Sequence, residues 1–472
     1  MTWETVIGLE VHLQLRTASK MFCGCSTAFG DPPNTNVCPV CLGLPGALPV
    51  PNAEAVRLAA RAALALGGTV HGVSIFARKN YFYPDLPKGY QISQFDRPLS
   101  TGGAVAFESA DRGRVSVGIT RLHVEEDAGK SLHDRIPGRT AVDLNRAGVP
   151  LAEIVTQPDL RSPADARAFL GTLRQLLLYT GASDCSMELG SLRVDANLSV
   201  RRAGESRLGT KTEVKNMNSF ANVERALNAE RDRQVALLEG GKPVRQVTLL
   251  YDAGTGEVHP TRSKEESHDY RYFPEPDLPP LQLTPEWISE RRDELPELPE
   301  ARRARLELAL GLSPYHAGVI ASERSIADYF EALLAAGVDA RAAASWTTGD
   351  VMTAWNETGG FPVAPDRLAV LVALERAGIV SLQAAKRVYA ELREDAGEPR
   401  AIAERLGLLQ VRDSDALAGW VEAVVEAFPG EVERYRAGET KLLGFFVGQV
   451  MKRSKGQADP KGVQPVLLER LK

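Results

Sequence analysis

The chain has 472 residues, of which 44% are hydrophobic and 25% charged, values typical of an ordinary soluble protein with two to four domains. No stretch approaches the roughly 18 uninterrupted apolar residues of a membrane span. The N-terminus lacks a basic segment followed by an apolar run, so no signal peptide is expected, and the sparse cysteines favour a reducing cytoplasm over a disulfide framework.

Four cysteines near the N-terminus form two closely spaced pairs, Cys23 with Cys25 and Cys38 with Cys41. The connector, residues 26–37, contains the glycine, prolines and asparagine of a loop. Thiolates are soft ligands, and two pairs joined by a loop can surround one Zn²⁺ ion tetrahedrally. The alternative is four buried, reduced cysteines. Four protein ligands would close the coordination sphere, so we predict a structural zinc knuckle rather than a catalytic metal.

Polar residues that alternate with apolar ones mark candidate chemistry on predicted strands. Glu10 and His12 alternate with leucine and valine, so both side chains should lie on one side of a strand. His123 and Glu125 repeat the pattern, and Glu153 is an acid inside an apolar run. Each alone is more simply a surface or paired residue. Together, carboxylates with an imidazole suit Mg²⁺ or Mn²⁺, because hard cations prefer oxygen ligands.

Residues 78–91 combine basic and aromatic side chains with prolines and a glycine, a pattern typical of an irregular functional loop. Lys79 and Lys88 could pair with phosphate, and the tyrosines could stack on a base. The alternative is a packed aromatic loop with solvated lysines. A similar charged stretch, residues 261–274, is by itself typical of a solvated loop.

A helix and a hairpin are predicted in the middle of the chain. Ser162 is a suitable N-cap, Pro163 suits the first helical position, and Gly181 ends the apolar stripe between them. Residues 194–200 and 210–217 each alternate apolar and polar side chains and should pair as a hairpin. The polar faces of that hairpin would present Asp195, Asn197, Lys211, Glu213 and Lys215.

The second half of the chain changes character. From about residue 296 it becomes rich in Ala, Leu, Glu and Arg with helical periodicity. We predict three domains: residues 1–295, a helical domain over 296–410, and a small helical domain over 411–472. Residues 434–472 carry nine Lys or Arg and three Asp or Glu, a local net charge of +6 on an otherwise acidic chain. This favours a local nucleic-acid contact, and a solvated basic helix face explains the charge equally well.

Several familiar signatures are absent. The stretch from Gly204 to Thr212 has one residue too many before its lysine to be a Walker motif, and no G-x-S-x-G elbow occurs. Cys185 has no signature of a catalytic thiol and is predicted to be a buried structural cysteine. Any nucleotide chemistry must therefore use a site without a P-loop.

Several long motifs resemble the B-subunit family of bacterial glutamine-dependent aspartyl/glutamyl-tRNA amidotransferases. They span almost the whole chain, and they are residues 6–12, 78–90, 123–130, 143–151, 211–220, 263–266, 269–277 and 444–452.

The resemblance implies a catalytic subunit of an enzyme with three subunits. An amidase partner would release ammonia from glutamine, and a small third subunit would brace the pair. This chain, with ATP and Mg²⁺, would phosphorylate the side-chain carboxylate of Glu or Asp misattached to tRNA, and ammonia would then displace phosphate. The fold implied is α+β: a cradle domain with antiparallel β-sheet, then an all-α helical domain and a small α-helical tail. Whether Glu-tRNA, Asp-tRNA or both are substrates stays open, as does Mg²⁺ against Mn²⁺.

The resemblance also assigns roles to residues. The implied metal ligands and catalytic residues are Glu10, His12, Glu125 and Glu153, with Glu126 as a nearby candidate. The implied wall of the ammonia path, with possible nucleotide contacts, comprises Lys79, Tyr81, Lys88, Asp195 and Lys215. The implied tRNA contacts in the tail are Lys452, Arg453 and Lys455.

Two other functions stay open. A non-catalytic tRNA-binding adaptor would explain the tail but would leave the carboxylates without a task. A free-standing metal-dependent hydrolase would instead act without ATP or a partner subunit.

Overall fold

We describe the protein from a computed structural model, for residues 2–261, 270–411, 414–454 and 456–472. The chain divides into two compact units, residues 1–299 and 300–472. Within the described ranges, no helix combines the length and the apolar character needed to cross a bilayer. The predicted solvated loop at 261–274, with the motif at 263–266, falls largely on residues 262–269, which lie outside the described residues.

The first unit contains all of the named strands. They are β1 (Trp3–Gln14), β2 (Thr69–Val70), β3 (Val73–Ser74), β4 (Phe76–Asn80), β5 (Tyr90–Gln94), β6 (Ser100–Thr101), β7 (Ala104–Ser109), β8 (Gly113–Glu126), β9 (Lys130–Ile136), β10 (Arg139–Asp143), β11 (Pro150–Thr156), β12 (Leu192–Arg202), β13 (Thr212–Lys215), β14 (Thr248–Asp252), β15 (Glu257–Pro260), β16 (Phe273–Pro274) and β17 (Leu281–Gln282). Its helices are α1 (Ala53–Ala65), α2 (Pro163–Thr180), α3 (Phe220–Glu239) and α4 (Pro285–Asp293).

Ten of these strands form one mixed sheet, in the order β15-β14-β13-β12-β1-β11-β8-β6-β2, with β7 paired to β8. The pairing of β13 with β14 is parallel, and the other pairings in this sheet are antiparallel. The central strand β1 lies between β11 and β12. The predicted antiparallel pairing of residues 194–200 with 210–217 is confirmed as β12 and β13.

The two faces of the sheet differ in polarity because side chains alternate along each strand. On β1, Leu9, Val11 and Leu13 are fully buried and join a core that includes apolar side chains of α1, α2 and α3. The intervening Glu10 and His12 lie on the opposite face. The core therefore fixes the strands from one side and leaves the other side for polar chemistry.

Local sequence signals set the ends of the helices. The Ser162 side chain accepts a hydrogen bond from the Asp165 amide, and Pro163 is the first residue of α2. Gly181 ends that helix with φ of 69°, a left-handed conformation that glycine adopts without steric cost. Both ends confirm the prediction from sequence. Cys185 is also buried as predicted, with 1% of its surface exposed.

The second unit is helical. Its helices are α5 (Pro299–Leu308), α6 (Pro314–Ile320), α7 (Arg324–Ala335), α8 (Ala340–Trp346), α9 (Met352–Thr358), α10 (Pro365–Arg376), α11 (Leu382–Leu392), α12 (Pro399–Arg405), α13 (Ser414–Ala427), α14 (Pro429–Arg436), α15 (Leu442–Arg453) and α16 (Pro460–Arg470), with a kinked turn at Thr347–Val351 where Gly349 is not helical. A sheet-containing unit followed by a helical one confirms the α+β class.

Apolar side chains of the helical unit form two clusters, one within residues 306–408 and one within residues 417–471. The predicted division of this unit at residue 410 stays a prediction, as does the three-domain scheme as a whole.

Candidate functional site

The polar face of the large sheet carries a row of four side chains on four neighbouring strands. Arg193 on β12 lies opposite His12 on β1, and His12 lies opposite Glu153 on β11. Glu153 in turn lies opposite His123 on β8. Directly opposed residues in a ladder point to the same face, so the row places two imidazoles, a carboxylate and a guanidinium side by side.

A compact cluster of His12, Glu125 and Glu153 forms around this row. One ligand atom from each lies within 4.8 Å of the others. Nε2 of His12 is 3.4 Å from Oε2 of Glu153 and 3.7 Å from Oε1 of Glu125. Ser93 on β5 donates a 3.0 Å hydrogen bond to Oε2 of Glu125 and so restricts that carboxylate. Three of the four predicted metal ligands are therefore brought together.

The two carboxylates of the cluster are buried, yet they favour the charged state. Burial opposes ionisation of Glu153, but His123 and His12 outweigh it and hold its pKa well below the usual value. Burial likewise opposes ionisation of Glu125, and its hydrogen bond with His123 helps to lower the pKa. The same contacts overcome the burial of His123 and raise its pKa to about 9. Ionised carboxylates beside an imidazole are the ligands that a hard divalent cation requires.

Glu10 belongs to a second acidic group rather than to this cluster. Its carboxylate lies within 4.8 Å of those of Asp195 and Glu213, and Asn197 donates a 3.0 Å hydrogen bond to it. Burial and repulsion from neighbouring carboxylates, Glu153 first among them, raise the pKa of Glu10. Nζ of Lys215 lies 2.9 Å from Asp195 and 3.1 Å from Glu213. Asp195 and Lys215, both predicted to line the ammonia path, therefore form an ion pair at the edge of the site.

Glu126 is directed away from the cluster. Its Oε1 accepts hydrogen bonds from Nζ of Lys88 and, at 2.9 Å, from the Ile92 amide. Lys88 is buried with it and also lies 5.6 Å from the centre of the Tyr90 ring. Of the two neighbouring acids, Glu125 is therefore the one whose carboxylate reaches His12. Lys88 holds Glu126 and lies in a packed environment.

Lys79 and Tyr81 form a cationic and aromatic wall close to the cluster. Nζ of Lys79 lies 5.0 Å from the centre of the Tyr270 ring and 5.9 Å from that of Tyr81. Burial disfavours the ammonium, but nearby negative charge, that of Glu125 above all, outweighs burial and raises the pKa of Lys79 above its usual value. A charged lysine is therefore held beside the buried carboxylates, in a setting that attracts a polar substrate.

A cavity of about 270 Å³ opens beside Glu10 on the same sheet face. Both polar and apolar groups line it, and they include Gly8, Thr156, Asn197, Ser199 and Lys211. Its position next to two groups of carboxylates gives a small organic molecule access to the polar face.

The four cysteines of the predicted knuckle lie together in space. Their sulfurs are all within 4.8 Å of one another, and Sγ of Cys38 is 3.9 Å from Sγ of Cys41. Tetrahedral Zn²⁺ with Zn–S bonds of about 2.3 Å requires sulfurs about 3.8 Å apart. The cluster could therefore hold a metal ion. A hydrogen bond from Cys23, together with the nearby Lys20 ammonium, lowers the pKa of Cys41 to about 4.

The predicted tRNA contacts lie in the second unit. Lys452 and Arg453 form the exposed last turn of α15. Lys455 lies outside the described residues. Lys452 also lines a polar cavity of about 370 Å³ together with Ser381, Arg387 and Gln457.

From the sequence, His123 was named only through its alternation with Glu125, and neither Arg193 nor Asp127 was singled out. His123 stands two residues before Glu125 on the same strand, and this spacing was the available signal. Arg193 and Asp127 come from separate strand ends, and no local pattern connects them.

Comparison with known proteins gives a consistent result over the whole chain. The family model described as the GatB/GatE catalytic domain matches residues 5–289, and one described as the GatB domain matches residues 328–471. The chain is 53% identical over 477 residues to the B-subunit of the aspartyl/glutamyl-tRNA(Asn/Gln) amidotransferase of Moorella thermoacetica, with 100% of both chains covered. Proteins of the same name from Chlorobium phaeobacteroides and Geobacter sulfurreducens are each 50% identical, again with 100% of both chains covered.

Proposed function

This chain belongs to the GatB/GatE family, and from that premise we propose that it is the kinase and transamidase subunit of a tRNA-dependent amidotransferase. Its substrate would be Glu-tRNA(Gln), Asp-tRNA(Asn) or both. The observation that carries the proposal is the cluster of His12, Glu125 and Glu153, where two buried carboxylates stay ionised beside imidazoles.

The proposed reaction has two steps. An oxygen of the substrate's side-chain carboxylate attacks the γ-phosphorus of ATP, and ADP leaves with the bridging oxygen. Ammonia then attacks the carbonyl carbon of the acyl phosphate, inorganic phosphate leaves, and the nitrogen loses a proton to give the amide. Activation is needed because a carboxylate is a poor electrophile, whereas its acyl phosphate has a good leaving group.

The residues present fit a divalent cation, for which Mg²⁺ is the natural choice. His12, Glu125 and Glu153 would hold it, while Glu10 stands in the separate acidic group with Asp195 and Glu213. When bound, such an ion neutralises charge on the transferring phosphoryl group. His123 and Ser93 keep Glu125 in place through contacts of 3.6 and 3.0 Å. The cavity beside Glu10 is the proposed nucleotide site, with Lys211 available to an anion.

Ammonia would come from a partner. We propose that an amidase subunit releases it from glutamine, and that a small third subunit completes a heterotrimer. Lys79, Tyr81 and Tyr270 form a polar wall suited to the approach of ammonia. Lys88, Asp195 and Lys215 would act on this path through ion pairs with neighbouring acids. The basic end of α15 would contact tRNA, zinc would stabilise the cysteine knuckle, and the enzyme would work in the cytoplasm.

The decisive experiment uses this chain assembled with its amidase and small subunits. Glu-tRNA(Gln), Mg²⁺, γ-labelled ATP and ammonium chloride in place of glutamine would be supplied to wild type and to Glu125→Gln. We expect wild type to release phosphate and form Gln-tRNA, and the variant to do neither while still binding tRNA.

The matched control is Glu4→Gln, the same chemical change near the start of β1, where Glu4 pairs with Arg201. This variant should keep full activity. A fully active Glu125→Gln enzyme would instead contradict the proposed site and support a role as a non-catalytic tRNA-binding adaptor.

A further inference from the structure

Arg193 presents a guanidinium group to the candidate site. It lies directly opposite His12 in the sheet, on the face that carries the carboxylate cluster. Nη1 donates a 2.9 Å hydrogen bond to Oδ2 of Asp127. Among the residues that the structure describes, Arg193 has no other hydrogen-bond partner, and about a third of its side chain (32%) is exposed. Its remaining N–H donors are therefore available to a ligand on this face.

Asp127 holds Arg193 in a fixed position. Asp127 is 5% exposed, and its carboxylate also accepts a 3.1 Å hydrogen bond from Gln14 on β1. Nε of Arg146 lies 3.6 Å from the same carboxylate and donates to the carbonyl of Ala128 at 2.9 Å. The carboxylate thus ties Arg193 to β1 and to the segment after β8, which limits the freedom of its long side chain.

The strand register places Arg193 level with His12, away from most of the residues that line the proposed nucleotide cavity. That cavity is lined by Gly8 on β1 and Ser199 on β12, whereas His12 comes four residues after Gly8 on β1 and pairs with Arg193 on β12. Same-face residues on a strand are about 6.7 Å apart per pair of residues, so about 13 Å separates Gly8 from His12. A nucleotide in the cavity would approach the cluster along β1 past Glu10, and a second reactant would meet Arg193 beside His12.

We propose that Arg193 binds the side-chain carboxylate of the aspartyl or glutamyl group attached to tRNA, and that Asp127 is its positioning residue. This inference rests on the proposed function. A guanidinium presents parallel N–H donors that match the two oxygens of a carboxylate. Arg193 thereby selects an acidic aminoacyl group and holds its oxygen beside His12 and Glu153. The amide product is neutral and loses this ion pair, which favours its release.

The test measures binding rather than turnover. In the assembled enzyme without ATP, the Kd is determined for Glu-tRNA(Gln), for Gln-tRNA(Gln) and for the same tRNA without an amino acid. Wild type should bind the glutamyl form about 10- to 100-fold more tightly than the glutaminyl form, the range expected for a charged hydrogen-bonded pair. Arg193→Gln should bring that ratio close to one while leaving the Kd for uncharged tRNA and for ATP unchanged.

Three variants separate positioning from general damage. Arg201→Gln, the same change on the same strand, should keep the wild-type ratio, because Arg201 pairs with Glu4 at the far end of β12. Arg193→Lys keeps the charge beside Asp127 and should retain part of the ratio. Asp127→Asn should raise KM for Glu-tRNA more than it lowers kcat, since it frees the guanidinium without removing it.

The outcomes are distinguishable from failure of the proposed function. If wild type phosphorylates Glu-tRNA but Arg193→Gln keeps the full ratio, the assignment of Arg193 is wrong and the proposed function stands. A weaker Kd for ATP with an unchanged ratio would make Arg193 a nucleotide ligand and also overturn the proposal. If wild type does not consume ATP with Glu-tRNA, the proposed function itself fails.

Discussion

Nε2 of His123 lies 3.2 Å from Oε2 of Glu153 on the neighbouring strand, and both side chains are buried. The contact offsets the burial of a carboxylate that also lies near Glu125. His123, together with His12, lowers the pKa of both carboxylates and so favours their charged state in this small volume. Its role is to orient the carboxylates, and it supports the cation site through Glu125 and Glu153.

Replacing His123 should therefore weaken the binding of the cation without removing a predicted ligand. We expect His123→Asn to lower the affinity for Mg²⁺ about 10- to 100-fold, the range for residues that orient metal ligands. Titration calorimetry with Mg²⁺ on the assembled enzyme measures it. His133→Asn is the control and should keep the wild-type affinity, because His133 is an exposed residue that shares a hydrogen bond with Thr140. Equal affinities in wild type and His123→Asn would contradict the orienting role.

Loss of one knuckle cysteine should release zinc and loosen the knuckle. We expect Cys38→Ser to drop the zinc content from one ion per chain to a small fraction, because a tetrahedral site needs all four thiolates. Amide hydrogen exchange in residues 20–45 should accelerate about tenfold or more. Cys185→Ser changes a buried cysteine outside the cluster and should leave the zinc content unchanged. If wild type contains no zinc and its amide exchange in residues 20–45 equals that of Cys38→Ser, the predicted zinc site is wrong.

Charge reversal at the end of α15 should weaken tRNA binding. We expect Lys452→Glu with Arg453→Glu to raise the Kd for tRNA about tenfold at moderate salt and to reduce the salt dependence of binding. Glutaminase activity of the assembled enzyme should be unaffected. Arg341→Glu with Arg400→Glu is the control, with the same change in net charge at two exposed arginines elsewhere in the second unit. Unchanged tRNA affinity in the tail variant would remove the case for this contact.

The helical unit should lose stability in acid through Glu331. Burial opposes ionisation of Glu331, but hydrogen bonds from Arg302 and Arg305 outweigh it and lower its pKa below 4.5. A lowered folded-state pKa means that the contribution is complete above pH 4.5 and is lost as the pH falls through the lower value. We expect Glu331→Gln to lower the free energy of unfolding by about 1 kcal/mol at pH 7, a figure reduced to allow for the partial exposure of the side chain. At a pH below the folded-state pKa of Glu331, the same change should cost almost nothing.

Hydrogen exchange of the α5 and α7 amides, measured at pH 7 and at a pH below the lowered pKa of Glu331, tests this pH dependence. Glu404→Gln, an exposed site on α12, should change neither measurement. A cost that is independent of pH would show that the carboxylate charge of Glu331 is not its source.

Much of the local structure could be predicted because its causes are local. The caps at Ser162 and Gly181 and the hairpin of β12 with β13 follow from residue types and alternation within short windows. The same alternation correctly placed Glu10 and His12 on one face of a strand. The cysteine spacing was likewise sufficient to predict that four sulfurs come together.

The composition of the site was harder to predict because it depends on strand order and on the direction of individual side chains. Glu125 and Glu126 are neighbours in sequence, yet one reaches His12 and the other bonds Lys88. A strand sends successive side chains to opposite faces, and only the packing of β5 against β8 shows which face holds the cluster.

The sequence by itself determined the fold class, the family and most of the chemistry-bearing residues, since these depend on local patterns and extended motifs. Only the tertiary structure grouped Glu10 with Asp195 and Glu213, and only it set Arg193 opposite His12. The physical reason is that antiparallel pairing joins residues more than a hundred positions apart. The register of those pairs is fixed by the shared apolar core beneath the sheet, which no single segment of the sequence contains.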